Sequence, residues 1–136
     1  AKRLAGEGGL RALLQLRCVA YGFAIWAGAS IAFRWLGQFF FRPDIGWVMP
    51  LLALVAVPAI AGLTLLGFRL LRIPPAGRPV AAGVFVATGM PLDALATLSW
   101  SLSYPNLPAS SAGPFAAYML WCNAIAVVAG IAAARA

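Results

Sequence analysis

At 136 residues the chain is 63% hydrophobic and only 10% charged, whereas about a quarter of the residues in a soluble domain carry charge. A core of this length could not hide so much apolar surface from water, so a soluble globular domain is excluded and one membrane domain over residues 1–136 is expected. The net charge of +7 then reads as topology and attraction to anionic lipid, not as nucleic-acid binding.

The chain opens with Lys2, Arg3, Arg11 and Arg17 ahead of the first apolar run. This resembles a signal peptide superficially. The run that follows, from Cys18 to Phe41, is about 24 residues long, which exceeds a signal h-region of about 7 to 15 and predicts a spanning helix. Leu10, Leu13, Leu14 and Leu16 between the arginines predict either an interfacial amphipathic turn or a cytoplasmic extension of that helix. Further spans are expected over residues 45–68, 79–103 and 113–134. Each is long enough for a hydrocarbon core that needs about 20 helical residues. Pro50, Pro58, Gly62, Gly89 and Pro91 inside these runs are ordinary for membrane helices. The second span is nearly featureless, with Thr64 as its one polar side chain, and is expected to face lipid more than the others.

Basic residues set the orientation. Lys2, Arg3, Arg11, Arg17, Arg69, Arg72, Arg78 and Arg135 fall on one side and only Arg34 and Arg42 on the other. The excess predicts cytoplasmic termini and a cytoplasmic loop around Arg72, and makes Arg11, Arg17, Arg69, Arg72 and Arg78 candidates for lipid head-group contacts. Trp35, Trp47 and Tyr104 fit an aromatic belt at the opposite interface. Trp26, Trp100 and Trp121 lie deeper, as packing residues or as the lining of a site. Small residues at four-residue spacing, Ala24, Gly28 and Ala32 on the first helix and Ala126, Gly130 and Ala134 on the fourth, are candidate contact stripes. Cys18 and Cys122 are expected at different depths, too far apart for a disulfide.

Depth arithmetic gathers the polar residues. Arg34 lies ~7 Å and Asp93 ~3 Å outward of their helix midpoints at 1.5 Å per residue. Opposite charges in one half of a bilayer are expected to pair if their helices pack together. Gln38, Thr97 and Asn123 complete the expected cluster, and Ser101 extends it into a polar track toward the outer surface. Pro91 cannot donate to the Ala87 carbonyl, which predicts room for water or a ligand near Asp93. The cluster is either a salt bridge fixing helix register or a site for a proton, cation or polar head group. After the third span, Tyr104–Pro108 is expected to be an ordered non-helical cap. Ser110 or Ser111 is expected to cap the next helix through its hydroxyl.

The chain has no histidine, and its only acids are Glu7, Asp44 and Asp93. No metal site, cofactor-ligating histidine or catalytic triad can be assembled, so neither a cofactor nor enzymatic activity is expected.

The segments Ile31-Ala-Phe-Arg34-Trp-Leu-Gly37-Gln38, Met90-Pro91-Leu92-Asp93-Ala94 and Tyr104-Pro105-Asn106-Leu107, with Ala112-Gly113 and Leu120-Trp121-Cys122, resemble an uncharacterised bacterial family of small four-helix membrane proteins. The resemblance implies a location in the bacterial inner membrane and brings no activity with it. Small multidrug transporters resemble the chain in architecture alone, since their essential acid lies in the first helix, where this chain has Arg34. The expectation is therefore an all-α, four-span bundle with both termini inside. Its leading role is a non-catalytic accessory or assembly subunit acting through lipids and other membrane subunits. The alternative is a small homo-oligomeric transporter or polar-ligand binder using Arg34 and Asp93.

Overall fold

A computed structural model describes residues 2–135, with side chains from residue 11 onward. The side chains of Lys2, Arg3, Glu7 and Leu10 lie outside the described residues. The elements are α1 (Lys2–Phe40), α2 (Val48–Leu70), α3 (Arg78–Leu98), the single turn α4 (Trp100–Ser103) and α5 (Ala112–Ala133). Four of them contain segments long and apolar enough to cross a membrane, which gives an all-α, polytopic membrane protein.

Of the two expectations for the leader, the helical extension of α1 is the one found. Two boundaries differ from the sequence expectation. The second span starts at Val48, because Arg42-Pro43-Asp44 forms a turn held by an Arg42–Asp44 ion pair at 2.8 Å. The third span ends at Leu98, where Ser99 leaves helical geometry at φ −104° and ψ 43°. Its hydroxyl donates to the Leu95 carbonyl at 2.8 Å, a local competition with the helix ladder.

The packing order is α1 on α3, α3 on α5 and α5 on α2, so α3 and α5 form the inner pair. Lipid supplies no hydrophobic force between helices, and close backbone approach must replace it. Gly22 provides it for α1: an added Cβ would lie 2.8 Å from the Phe85 carbonyl oxygen. Gly130 does so for α5, where a Cβ would sit 2.5 Å from that of Ala82. Ala126 and Gly130 are thus the buried part of the expected stripe on α5. The stripe on α1 is not a contact within the chain. Ala24 and Gly28 are exposed, and nothing lies within 4 Å of a Cβ on Gly28.

The lipid-facing assignment of α2 also needs correction. The smallest buried share belongs to α1 at 17%, against 22% for α2. Thr64 is buried, and α2 is tied to both neighbours by Tyr21 Oη donating to the Leu63 carbonyl and Trp121 Nε1 to that of Ala53. The physical reason is position: α1 stands against one side of the α3–α5 pair, whereas α2 is seated along α5.

Two packed clusters close the bundle. At one end Cys18, Phe68, Ile73, Ala81, Ala82, Phe85 and Ala133 meet. At the other Phe33, Phe41, Ala96, Trp100, Tyr104, Leu107 and Phe115 meet, with Phe33 and Phe115 edge to face at 5.0 Å. Tyr104 is only 2% exposed, so it belongs to this aromatic plug and not to an interfacial belt. Trp35 and Trp47 remain exposed, as a belt requires. Tyr104–Pro108 is non-helical and ordered by Trp100 Nε1 donating to the Pro108 carbonyl at 3.1 Å. Ser111 does stand at the start of α5, but its hydroxyl makes no cap bond and is buried without a partner. Cys18 and Cys122 are both free thiols.

The end of α2 carries a strained residue. Arg72 has φ 54°, while Ile73 N–H donates to the Phe68 carbonyl and Arg72 N–H to that of Arg69. This is the doubly bonded helix stop that normally uses glycine at the left-handed position, completed by the packed pair Phe68 and Ile73. The left-handed region costs a non-glycine residue roughly 1–2 kcal/mol.

Two outcomes follow for thermal unfolding in detergent or lipid. Gly22→Ala and Gly130→Ala should each cost roughly 1–3 kcal/mol through overpacking, while Gly28→Ala should leave stability unchanged. Arg72→Gly should raise stability by up to ~1 kcal/mol by relieving the left-handed strain. Equal effects at Gly22 and Gly28, or a loss in Arg72→Gly, would contradict the packing and the stop as described.

Candidate functional site

Asp93 and Arg34 are both on the helices expected, yet they do not pair. Among the described residues the only salt bridge is Arg42–Asp44, whose hydrogen bonds hold the Asp44 carboxyl below its ordinary range. Arg34 Nη1 instead donates to the carbonyls of Leu102 at 2.7 Å and Ser103 at 2.8 Å. The last carbonyls of a helix have no intrahelical donors, and a cation there also meets the negative end of the helix dipole. The break at Ser99 and the stop before Pro105 create those carbonyls beside α1. Arg34 takes them.

Arg78 plays the same part at the opposite end. Its Nη1 donates to the Ala133 carbonyl at 2.7 Å, so its guanidinium is engaged within the bundle and is not available solely to lipid head groups. Arg11, Arg17, Arg69 and Arg72 are exposed.

Gln38 and Thr97 also have local partners. Gln38 Nε2 donates to the Trp35 carbonyl at 3.0 Å, and its Oε1 accepts from Asn106 Nδ2 at 2.6 Å. Asn106 donates as well to the Phe33 carbonyl at 2.9 Å, so this pair fastens the outer loop to α1. Thr97 Oγ1 donates back to the Asp93 main-chain carbonyl at 2.8 Å. Ser101 is exposed on α4, turned away by the break at Ser99. The continuous polar track is therefore absent. Pro91 does not open the bundle beside Asp93 either: Ala87 and Pro91 share an exposed face of an unbroken α3.

Asp93 points into the interior. Its Oδ1 accepts from Trp26 Nε1 at 3.0 Å, and it lines a cavity of about 230 Å³ with Thr64, Tyr118, Cys122 and Asn123. Trp26, Phe33, Phe85 and Tyr118 provide aromatic walls. A carboxylate has about four lone-pair sites, and this single indole donor occupies one. Thr64 Oγ1 spends its proton on the Ile60 carbonyl at 2.8 Å, which leaves the hydroxyl oxygen as an acceptor. The cavity lies between the two packed clusters.

Of the expected cluster, then, Asp93 and Asn123 come together, while Arg34, Gln38 and Thr97 are engaged elsewhere. Trp26, Thr64, Tyr118 and Cys122 complete the lining. Tyr118 and Cys122 share a face of α5 by four-residue spacing, a pattern legible in the sequence, and Asn123 flanks that face. That Trp26 would donate to Asp93 had no such signature.

These features define a compact all-helical polytopic membrane protein. A match over residues 40–136 shows that the chain belongs to DUF5367, a family of unknown function. The matched stretch holds Thr64, Asp93, Tyr118, Cys122 and Asn123, while Trp26, Arg34 and Gln38 precede it. No curated protein and no solved structure matches the chain.

A double-mutant comparison tests the allocation of charges. Arg34→Gln and Asp93→Asn should be additive in thermal stability within about 0.5 kcal/mol, as for sites that share no partner. Trp26→Phe and Asp93→Ala should be coupled, because either change removes the same hydrogen bond. Strong coupling between Arg34 and Asp93 would restore the ion pair.

Proposed function

We propose that this is a non-catalytic membrane protein of the bacterial inner membrane that binds and carries a polar or cationic solute at Asp93. Its termini and the Arg72 loop are cytoplasmic in this reading, with Arg11, Arg17, Arg69 and Arg72 toward anionic lipid. The observation that carries the reading is a carboxylate lining a partly open cavity within the bundle, with no cationic partner among the described residues. Ionisable groups inside a membrane are costly and are functional sites by default. Arg34 was the residue that could have made Asp93 structural, and it is committed to carbonyls instead. The accessory-subunit role requires no such open carboxylate, and stable co-purification with other membrane subunits would favour it.

Reactivity and charge movement test the reading. In native-like lipid, a hydrophobic carbodiimide should add once to wild-type protein at Asp93 and fail to do so in Asp93→Asn, as read by intact mass and peptide mapping. A pH step on a supported proteoliposome layer should displace charge in wild type and not in that variant. Tyr118 and Cys122 are the other titratable groups lining the cavity; α1 and α2 contribute none to it. Equal labelling and equal charge movement in both proteins would reject Asp93 as the binding group.

A further inference from the structure

We infer that the ligand of the Asp93 cavity is a small organic amine, bound as its ammonium ion and admitted from the lipid through the groove between α3 and α5. This rests on the reading of Asp93 as a ligand-binding group and adds the class of ligand and its route.

Charge is the first discriminator. The lining carries one carboxylate and no cationic side chain, which suits a monocation and opposes an anion. Coordination is the second. A hard metal cation takes six or more oxygen ligands at 2.3–2.6 Å, or six in a strict octahedron. Among the described residues no group of three or more His, Cys, Asp or Glu side chains could hold a metal. An ammonium group needs less. Its N–H donors can meet the free lone pairs of Asp93, the amide oxygen of Asn123 and the hydroxyl oxygen of Thr64.

The remaining walls select the body of the ligand. Trp26 and Tyr118 offer π-faces to a cation, and Phe33 and Phe85 extend the apolar surface. A cavity of ~150 Å³ holds benzene with six heavy atoms. At that packing the 230 Å³ here admits about nine heavy atoms. The size suits a small organic body and leaves a bare inorganic ion largely unsupported.

The route follows from residues shared by two concavities. Asp93, Met119 and Asn123 line the partly open cavity and also a lipid-side groove of about 410 Å³ with Thr97, Leu98 and Leu120. They form the partition between the two. Met is unbranched and changes rotamer readily, so Met119 can move without displacing either helix backbone. An uncharged amine dissolved in the bilayer can then reach Asp93 and take its proton, or arrive as the ammonium ion and pair with the carboxylate. The two arrivals give the same ion pair.

The test uses the full chain in lipid nanodiscs and 2-phenylethylamine, which has nine heavy atoms, with binding read by calorimetry and by Trp fluorescence. Wild type should bind the amine at least tenfold more tightly than 2-phenylethanol or phenylacetate, and should show no saturable response to sodium. Asp93→Asn should lower amine affinity at least tenfold. Met119→Trp, which fills the partition, should slow association several-fold. Equal binding of amine and alcohol by wild type overturns the proposal without any variant, so it stands open to refutation even if Asp93→Asn fails to fold. Carbodiimide labelling of Asp93 together with saturable sodium binding and no amine binding would retain the binding group and reject the amine. Unaltered association in a folded Met119→Trp would reject the route.

Discussion

The stop of α4 against α1 decides what the rest of the bundle can do with its charges. At Leu102 and Ser103 the helix is ending and has carbonyls to satisfy near the hydrocarbon boundary, where an unmade hydrogen bond is costly. Arg34 reaches both with one guanidinium nitrogen. Having done so, it cannot also serve as the counter-ion of Asp93. One allocation thus fixes the outer end of the bundle and leaves Asp93 without a cationic partner among the described residues. Arg78 on the Ala133 carbonyl repeats the device at the other end. Two arginines that look like charges awaiting acids act as helix-end donors.

Between those ends the cavity exists because packing is uneven along the bundle axis. Gly22 and Gly130 bring α1 and α5 hard against α3 toward one end, and edge-to-face aromatics fill the other. Neither device extends to the level of Asp93. There the side chains facing inward are polar or of moderate size, and the indole of Trp26 is held by its hydrogen bond. The cavity is a gap between two well-filled layers.

The sequence made the fold legible because hydrophobic run length is a strong signal. The number of spans and the free thiols needed nothing more. The site was half legible. Asp93 and Asn123 are conspicuous because polar side chains are rare in these runs, and both line the same cavity. Depth arithmetic failed for Arg34, since depth constrains position along the membrane normal and says nothing of which neighbour offers the better acceptor. A serine at position 99, ending α3 five residues before Tyr104, was the missing fact. The small-residue stripe on α1 failed for a related reason. Ala24, Gly28 and Ala32 have the spacing of a contact face, but Gly22 lies on the face that meets α3, and rotation of a helix about its axis is not written in a composition so rich in alanine.

Energetics gives the interior carboxylate few ways to exist. A charged acid at mid-membrane costs about 2.5–3.5 kcal/mol on insertion scales, and one indole hydrogen bond to a charged acceptor returns about 1.5–3 kcal/mol. The balance favours any state that adds a second partner: a proton, ordered water or a bound cation. A structural acid would have been given that partner by the chain, and Arg34 was within the same half of the membrane to provide it. Because the chain spends Arg34 on the α4 carbonyls, no cation among the described residues pairs with Asp93, and in the function proposed for this site the second partner is the ligand.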